Sequence, residues 1–322
     1  MGIRLCALAL TGALLLVAAG CGRDDAEPEP GGAATASSSG LSGRIAVDGS
    51  STVGPLTTLA AEQFQQANPG VQVTVGISGT GGGFERFCAG ETDISDASRP
   101  IKEDEEVPLC EKAGVEYTEF QVAVDALTVV VNSENDWVDC LTTKQLEKMW
   151  EPGSKVSNWN QVDPSFPDQE LTLAGPGTDS GTFDYFTDEI NGEEGASRSD
   201  YTASEDDNVI VQAVEGDKGG LGYFGYTYYE ENQDRLKALE IDSGSGCVAP
   251  SAEAAQSGEY TPLSRPLFIY VKSTSLQKPE VKAFVQYYLD NAVSIAESGQ
   301  FIPAPEDVLA KNDTTFQQAT GS

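Results

Sequence analysis

From residue 44 onward, short β-branched runs alternate with stretches whose apolar residues recur every three or four positions. The first run, 44–48 (RIAVD), ends in the polar turn 49–52 (GSST). Leu56, Leu59, Ala60 and Phe64 then share one face of a helix, which Asn68, Pro69 and Gly70 close because proline lacks the N–H that would continue it. Residues 71–77 (VQVTVGI) alternate as a strand does. They run into the loop 78–83 (SGTGGG), and Phe84, Phe87 and Cys88 start a second helix. Residues 93–96 (DISD) read as a third strand, with 97–100 (ASRP) as its exit loop. This alternation predicts an α/β lobe around a mainly parallel sheet.

Two later runs, 122–132 (VAVDALTVVVN) and 266–271 (PLFIYV), are too apolar for surface strands and read as buried on both faces. Between them lies a second α/β series: a helix at 143–150, a strand at 171–174 and a helix opening at Thr182. Beyond it, Val281, Phe284, Val285, Tyr288 and Leu289 line one face of a helix expected to run unbroken over 279–298. Two lobes joined by two crossing segments explain this order. Lobe I is expected from 44–124 plus 266–322, and lobe II from 125–265.

The N-terminus differs in kind. Arg4 precedes an apolar run, 5–19, that ends in small residues before Cys21. That is the layout of an export signal over 1–20 and too short for a membrane span. Residues 17–21 (VAAGC) resemble a bacterial lipobox, with Ala18 where leucine is usual. Cys21 is therefore the expected site of acylation, and two acyl chains suffice to hold the mature chain outside the cytoplasm on the cell membrane. The rest of 21–43, rich in Asp, Glu, Pro, Gly, Ala and Ser, reads as a flexible tether.

Of the six cysteines, Cys6 falls in the signal and Cys21 at the anchor, leaving Cys88, Cys110, Cys140 and Cys247. Four in an exported chain imply two disulfides, with three possible pairings. Pairing Cys88 with Cys110 and Cys140 with Cys247 keeps each bridge inside one lobe. The chain has no histidine and no C-x-x-C pair, so no zinc site, and no other metal or cofactor, is expected.

The formal net charge is −32, from 51 acidic and 19 basic residues. Such a surface repels nucleic acid and anionic lipid, so neither is an expected partner. An anion site in this chain must overcome a repulsive field with local donors. Three loops offer them: Ser51 and Thr52; Ser78, Gly79, Thr80 and Gly81; and Ser180, Gly181 and Thr182. Each follows a predicted strand and opens a predicted helix, where unpaired N–H groups face outward. Taken singly each is an ordinary N-cap; three drawn from two lobes make an oxyanion cradle. An enzyme is not expected. Residues 178–181 (TDSG) have the look of a serine nucleophile loop, but a Ser–His couple cannot form without histidine, and no phosphate-loop or dinucleotide fingerprint is present.

The segments 48–53 (DGSSTV), 76–84 (GISGTGGGF), 93–101 (DISDASRPI), 159–160 (WN) and 175–183 (GPGTDSGTF) resemble, in this order, the phosphate-binding subunit of the bacterial high-affinity phosphate ABC transporter. The resemblance covers about 44–301. It implies a type II periplasmic-binding-protein fold, two α/β lobes that close on inorganic phosphate in the cleft between them. It also implies delivery to the permease subunits of an ABC importer, by a protein expected to be monomeric. Relatives that bind another tetrahedral oxyanion, or that sense or adhere without transporting, remain the alternatives. By the same resemblance Ser51, Thr52, the Val53 backbone, the 78–81 loop, Ser180, Gly181 and Thr182 contact the ligand. Asp96 matches a buried carboxylate that accepts the ligand's proton; sulfate has no proton to give it. The arginine that relatives carry before the second-lobe Ser-Gly-Thr is replaced here by 175–177 (GPG). Arg99 is the expected substitute, facing the cleft with Asp96, ahead of Arg86 on the second helix and Arg265 before the second crossing strand.

Overall fold

The computed structural model describes residues 40–321. The export signal, Cys21 and the tether up to residue 39 lie outside the described residues.

The chain opens with β1 (Gly43–Gly49), α1 (Val53–Ala67), β2 (Val71–Ile77), α2 (Gly79–Cys88), β3 (Ile94–Ala97) and α3 (Val107–Ala113). It then enters β4 (Tyr117–Asn132), in which every residue from 122 to 132 is buried. After α4 (Thr143–Trp150) come the strand Thr172–Pro176, the helix Gly181–Asn191 and the strand Gly220–Gly225. The return strand Ser264–Lys272 leads into three closing helices.

One sheet runs through the molecule in the order β2, β1, β3, return strand, β4, Gly220–Gly225, Thr172–Pro176 and Thr202–Ser204. β1 is parallel to β2 and β3, while the return strand is antiparallel to both β3 and β4. The sheet is therefore mixed rather than mainly parallel. A chain that leaves one lobe and comes back must cross in opposite directions, and that reverses the central strands. Residues 117–126 of β4 pair with the return strand, and Leu127 to Val131 pair with Gly220–Gly225. One long strand thus serves both lobes.

The cores separate at the same place. Ile45, Val47, Leu56, Phe64, Phe120 and Phe284 belong to one buried cluster, and Leu127, Val129, Trp150, Trp159, Phe186 and Tyr223 to another. Cys88 is bonded to Cys110, clipping α2 to α3, and Cys140 to Cys247. Among the described residues no helix is long and apolar enough to cross a membrane.

The helix expected over 279–298 is two helices, Pro279–Asp290 and Ala292–Ser298. Asn291 caps the first of them out of helical conformation, at φ −113° and ψ 11°, and both its backbone N–H and its side chain donate to the Tyr287 carbonyl, at 3.1 and 2.8 Å. A further helix, Glu306–Thr320, packs Phe316 into the first-lobe core.

Part of the 78–83 loop turns out to be helix, and its glycines serve packing as well as loop geometry. Gly79 holds φ +75°, which favours glycine. A methyl group on Gly83 would lie 2.5 Å from the Gly49 Cα and 3.0 Å from the Ser95 hydroxyl. α2 can rest on β1 only because that position is bare. Gly83→Ala should therefore lower unfolding stability by about 1–3 kcal/mol, the usual cost of overpacking. Urea denaturation measures this, and a variant as stable as the parent would mean that α2 shifts freely.

Candidate functional site

The three helix-opening loops meet at a cavity of about 420 Å³. Ser51, Thr52, Ser78, Gly79, Thr80, Gly81, Arg99 and Gly181 line it. Val53, Asp96, Ser180 and Thr182 do not line it in this conformation. Thr52 and Gly181 approach across the cleft: a methyl group on Gly181 would sit 3.0 Å from the Thr52 hydroxyl.

The hydroxyls differ in what they are free to do. In the first loop Ser50 holds the turn: its N–H donates to the Asp96 carbonyl at 2.9 Å, and its hydroxyl accepts from the N–H of Thr52 and of Val53. That leaves the side chains of Ser51 and Thr52 without a capping duty. In the second loop Ser78 does not cap α2 either, since its hydroxyl donates to Asp48. Thr80 shares a hydrogen bond with the Ser98 hydroxyl at 3.0 Å. Only Ser180 is an ordinary N-cap, accepting from Thr182 N–H at 3.2 Å. Simple capping therefore accounts for the third loop and not for the first two.

Asp96 is fully buried on β3 and does not face the cleft as expected. One carboxyl oxygen accepts from the Thr57 hydroxyl at 2.9 Å on α1; the other is buried with no hydrogen-bond partner among the described residues. β3 alternates, so Ile94 and Asp96 turn toward α1 while Ser95 turns toward α2. Burial pushes the Asp96 carboxyl up to about 8; the Thr57 bond pulls it back, and the Asp48 charge pushes it further up. A neutral acid is the form this pocket prefers near pH 7.

The arginines also fall differently. Arg99 lines the cavity, but its guanidinium grips Glu106 rather than standing beside Asp96, with contacts of 2.9 and 2.7 Å. Arg86 is paired with Asp48 and Glu91. Arg265 lies within the return strand and not before it. Its guanidinium reaches Thr52 at 2.9 Å and Asp125 at 3.2 Å, and stacks 3.6 Å above the Tyr185 ring. Nothing local in the sequence marks Arg265, because its place depends on register between strands 140 residues apart. Tyr185 could have been anticipated: it follows the Ser180 cap by about one turn and so points back toward the cleft.

Carboxylates complete the wall: Asp184, Asp188, Glu189 and Glu194. Burial pushes Asp184 and Glu189 up, neighbouring carboxylates add to this, and Arg265 pulls both down. Hydroxyls, helix-opening N–H groups and two guanidinium groups suit a small oxyanion. The acidic wall favours one that still carries protons.

Comparison with known proteins agrees with this geometry. The family model described as PBP superfamily domain matches residues 34–292. Protein SphX of Synechocystis is 49% identical over 277 residues, covering 85% of this chain and 82% of that protein. Phosphate-binding protein PstS of Staphylococcus saprophyticus is 40% identical over 291 residues, covering 90% and 88%. Among solved structures, a possible phosphate binding protein from Planctomyces limnophilus superposes with a TM-score of 0.84 at 48% identity, covering 87% of this chain and 99% of that one. The chain thus belongs to the PBP superfamily domain family, the two-lobed substrate-binding proteins, in the company of PstS and SphX.

Proposed function

We propose that the chain binds inorganic phosphate outside the cytoplasm and delivers it to the permease subunits of an ABC importer. The observation that carries this reading is the meeting of three donor loops, from two lobes, at one cavity in a chain 40% identical to a protein named for phosphate binding. Ser51, Thr52, the 78–81 loop and Gly181 supply the donors, and closure of the lobes brings in Val53 N–H, Ser180 and Thr182. The segregated cores support a division into lobe I, 44–124 plus 266–322, and lobe II, 125–265. The protein works as a carrier and not as a catalyst.

A competition titration with phosphate, arsenate, sulfate and molybdate tests the reading. Phosphate and arsenate should bind, since both keep a proton at neutral pH, and sulfate and molybdate should not. Sulfate binding as tightly as phosphate at every pH would overturn it. The discrimination should come from the acidic wall: Asp184, Asp188, Glu189 and Glu194 line the cavity, and a carboxylate accepts from a protonated oxyanion but repels one with bare oxygens.

Asp96 also ties pH to stability. Its folded pKa, near 8, lies above the unfolded value of 3.8. The folded state thus holds this proton more tightly, which stabilises it fully below about pH 4 and progressively less as pH rises through 8. Ligand-free protein should show a melting temperature that falls from pH 5 to pH 9, and Asp96→Asn should flatten that fall. Equal slopes in the two proteins would mean that Asp96 ionises freely in the fold.

The lipobox-like 17–21 supports attachment to the membrane through Cys21. Expressed in a bacterial host, the wild type should partition into detergent and Cys21→Ser into the aqueous phase. A wild-type protein found wholly in the aqueous phase would remove the anchor.

A further inference from the structure

We propose that Arg265 is the cation that meets the bound anion, and that Asp125 and Tyr185 position it. The inference rests on the phosphate reading of this cavity and names the charge that the reading leaves open.

Two guanidinium groups line the cavity, those of Arg99 and Arg265. Arg99 is already engaged. Both of its terminal nitrogens donate to the Glu106 carboxylate, and one also donates to the Pro100 carbonyl at 3.1 Å. Glu106 has a side chain only 8% exposed and takes a further bond from Lys102 N–H at 2.8 Å. An anion that claimed the Arg99 fork would have to leave a buried carboxylate unpaired, which costs more than the new contact returns.

Arg265 is held, yet keeps donors in hand. Its Nε and one terminal nitrogen, Nη2, both lie 3.2 Å from the Asp125 carboxylate, and Nη2 also donates to the Thr52 hydroxyl at 2.9 Å; the other, Nη1, has no hydrogen-bond partner among the described residues. The Tyr185 ring beneath it is fixed in turn, because its hydroxyl donates to the Pro262 carbonyl at 2.6 Å. Stacking on a ring uses the face of the guanidinium and none of its N–H groups. The planar guanidinium is thus oriented before ligand arrives, with Nη1 left to donate to an oxyanion and Nη2 able to share a second bond.

The surrounding charges make the same demand. Asp125, Asp184 and Glu189 all sense Arg265. Without it, an entering anion would face the acidic wall with only neutral donors and the Glu106-paired Arg99 in its favour. Position adds a second role. Arg265 and Asp125 sit opposite each other on the two crossing strands. The guanidinium touches Thr52 at the start of α1 and Tyr185 on the helix Gly181–Asn191, so an anion bound to it engages both lobes.

Calorimetric titration of the folded chain with inorganic phosphate tests the assignment, with thermal unfolding to establish that each variant folds. Arg265→Gln should weaken binding by about 30-fold or more, and Arg265→Lys should recover part of the loss, keeping the charge without the fork. Arg99→Gln should lose less than Arg265→Gln. Asp125→Asn keeps an oxygen for Nε and removes the buried negative charge that neutralises Arg265, so it should bind phosphate more tightly than wild type. A purely structural ion pair would instead lose affinity there. If Arg265→Gln does not fold, Arg265→Lys and Asp125→Asn decide, and wild-type affinity in both overturns the proposal. Failure of the wild type to bind phosphate would remove the phosphate reading and this inference together. Binding by wild type with Arg265→Gln unimpaired, or with Arg99→Gln the more damaged, would overturn this inference alone.

Discussion

The pairing of β4 with the return strand is the contact on which the rest of the molecule depends. It runs from Tyr117 opposite Lys272 to Ala126 opposite Ser264. Its first-lobe end carries Phe120 and Leu267 into one core, and beyond Ala126 the same β4 delivers Leu127 and Val129 to the other. Because the two strands are hydrogen-bonded across the junction, neither lobe can translate without breaking a ladder. Relative motion is left to bending at the junction, the kind of hinge that a few residues at element ends can absorb.

That pairing also decides which parts of the site a linear reading could find. Loops that follow a strand and open a helix are local events, and Ser51, Thr52, Ser78 and Gly181 were recognisable because hydroxyls and glycine stand at the turn itself. β1, β2 and α4 were legible for the same reason, each having a clean period of its own. The strand Gly220–Gly225 was not. With three glycines in GLGYFG it reads as a loop, yet Gly222 is bare because a methyl group there would meet the Ala174 carbonyl at 2.8 Å. The helix Glu306–Thr320 was equally hidden, since it buries little besides Asn312 and Phe316. Arg265 belongs with these. Its partners Thr52, Asp125 and Tyr185 come from three separate stretches of chain, and only the strand register brings them to one point.

Asp96 shows a different limit. A motif can place a carboxylate on the right strand without telling which face it takes, and one residue of register reverses the answer. Here the face belongs to α1, so the carboxyl is buried against Thr57, and burial with the Asp48 charge nearby raises it to about 8.

A chain of net charge −32 that binds an anion must separate the long-range field from the local one. Salt screens the first over about 8–10 Å, so the dispersed surface carboxylates are felt weakly inside the cleft. The near charges are another matter, and three are neutralised in place: Asp48 by Arg86, Glu106 by Arg99, Asp125 by Arg265. Of these three cations, Arg86 is half exposed and Arg99 is gripped at both terminal nitrogens. Arg265, by contrast, has a side chain 18% exposed and stacks edge-outward on an aromatic ring. A cation that is desolvated but incompletely paired gains most from a new anionic partner, because its desolvation cost has been met in folding. This asymmetry among three arginines makes the junction of the crossing strands, rather than the glycine loop, the electrostatic centre of the cleft.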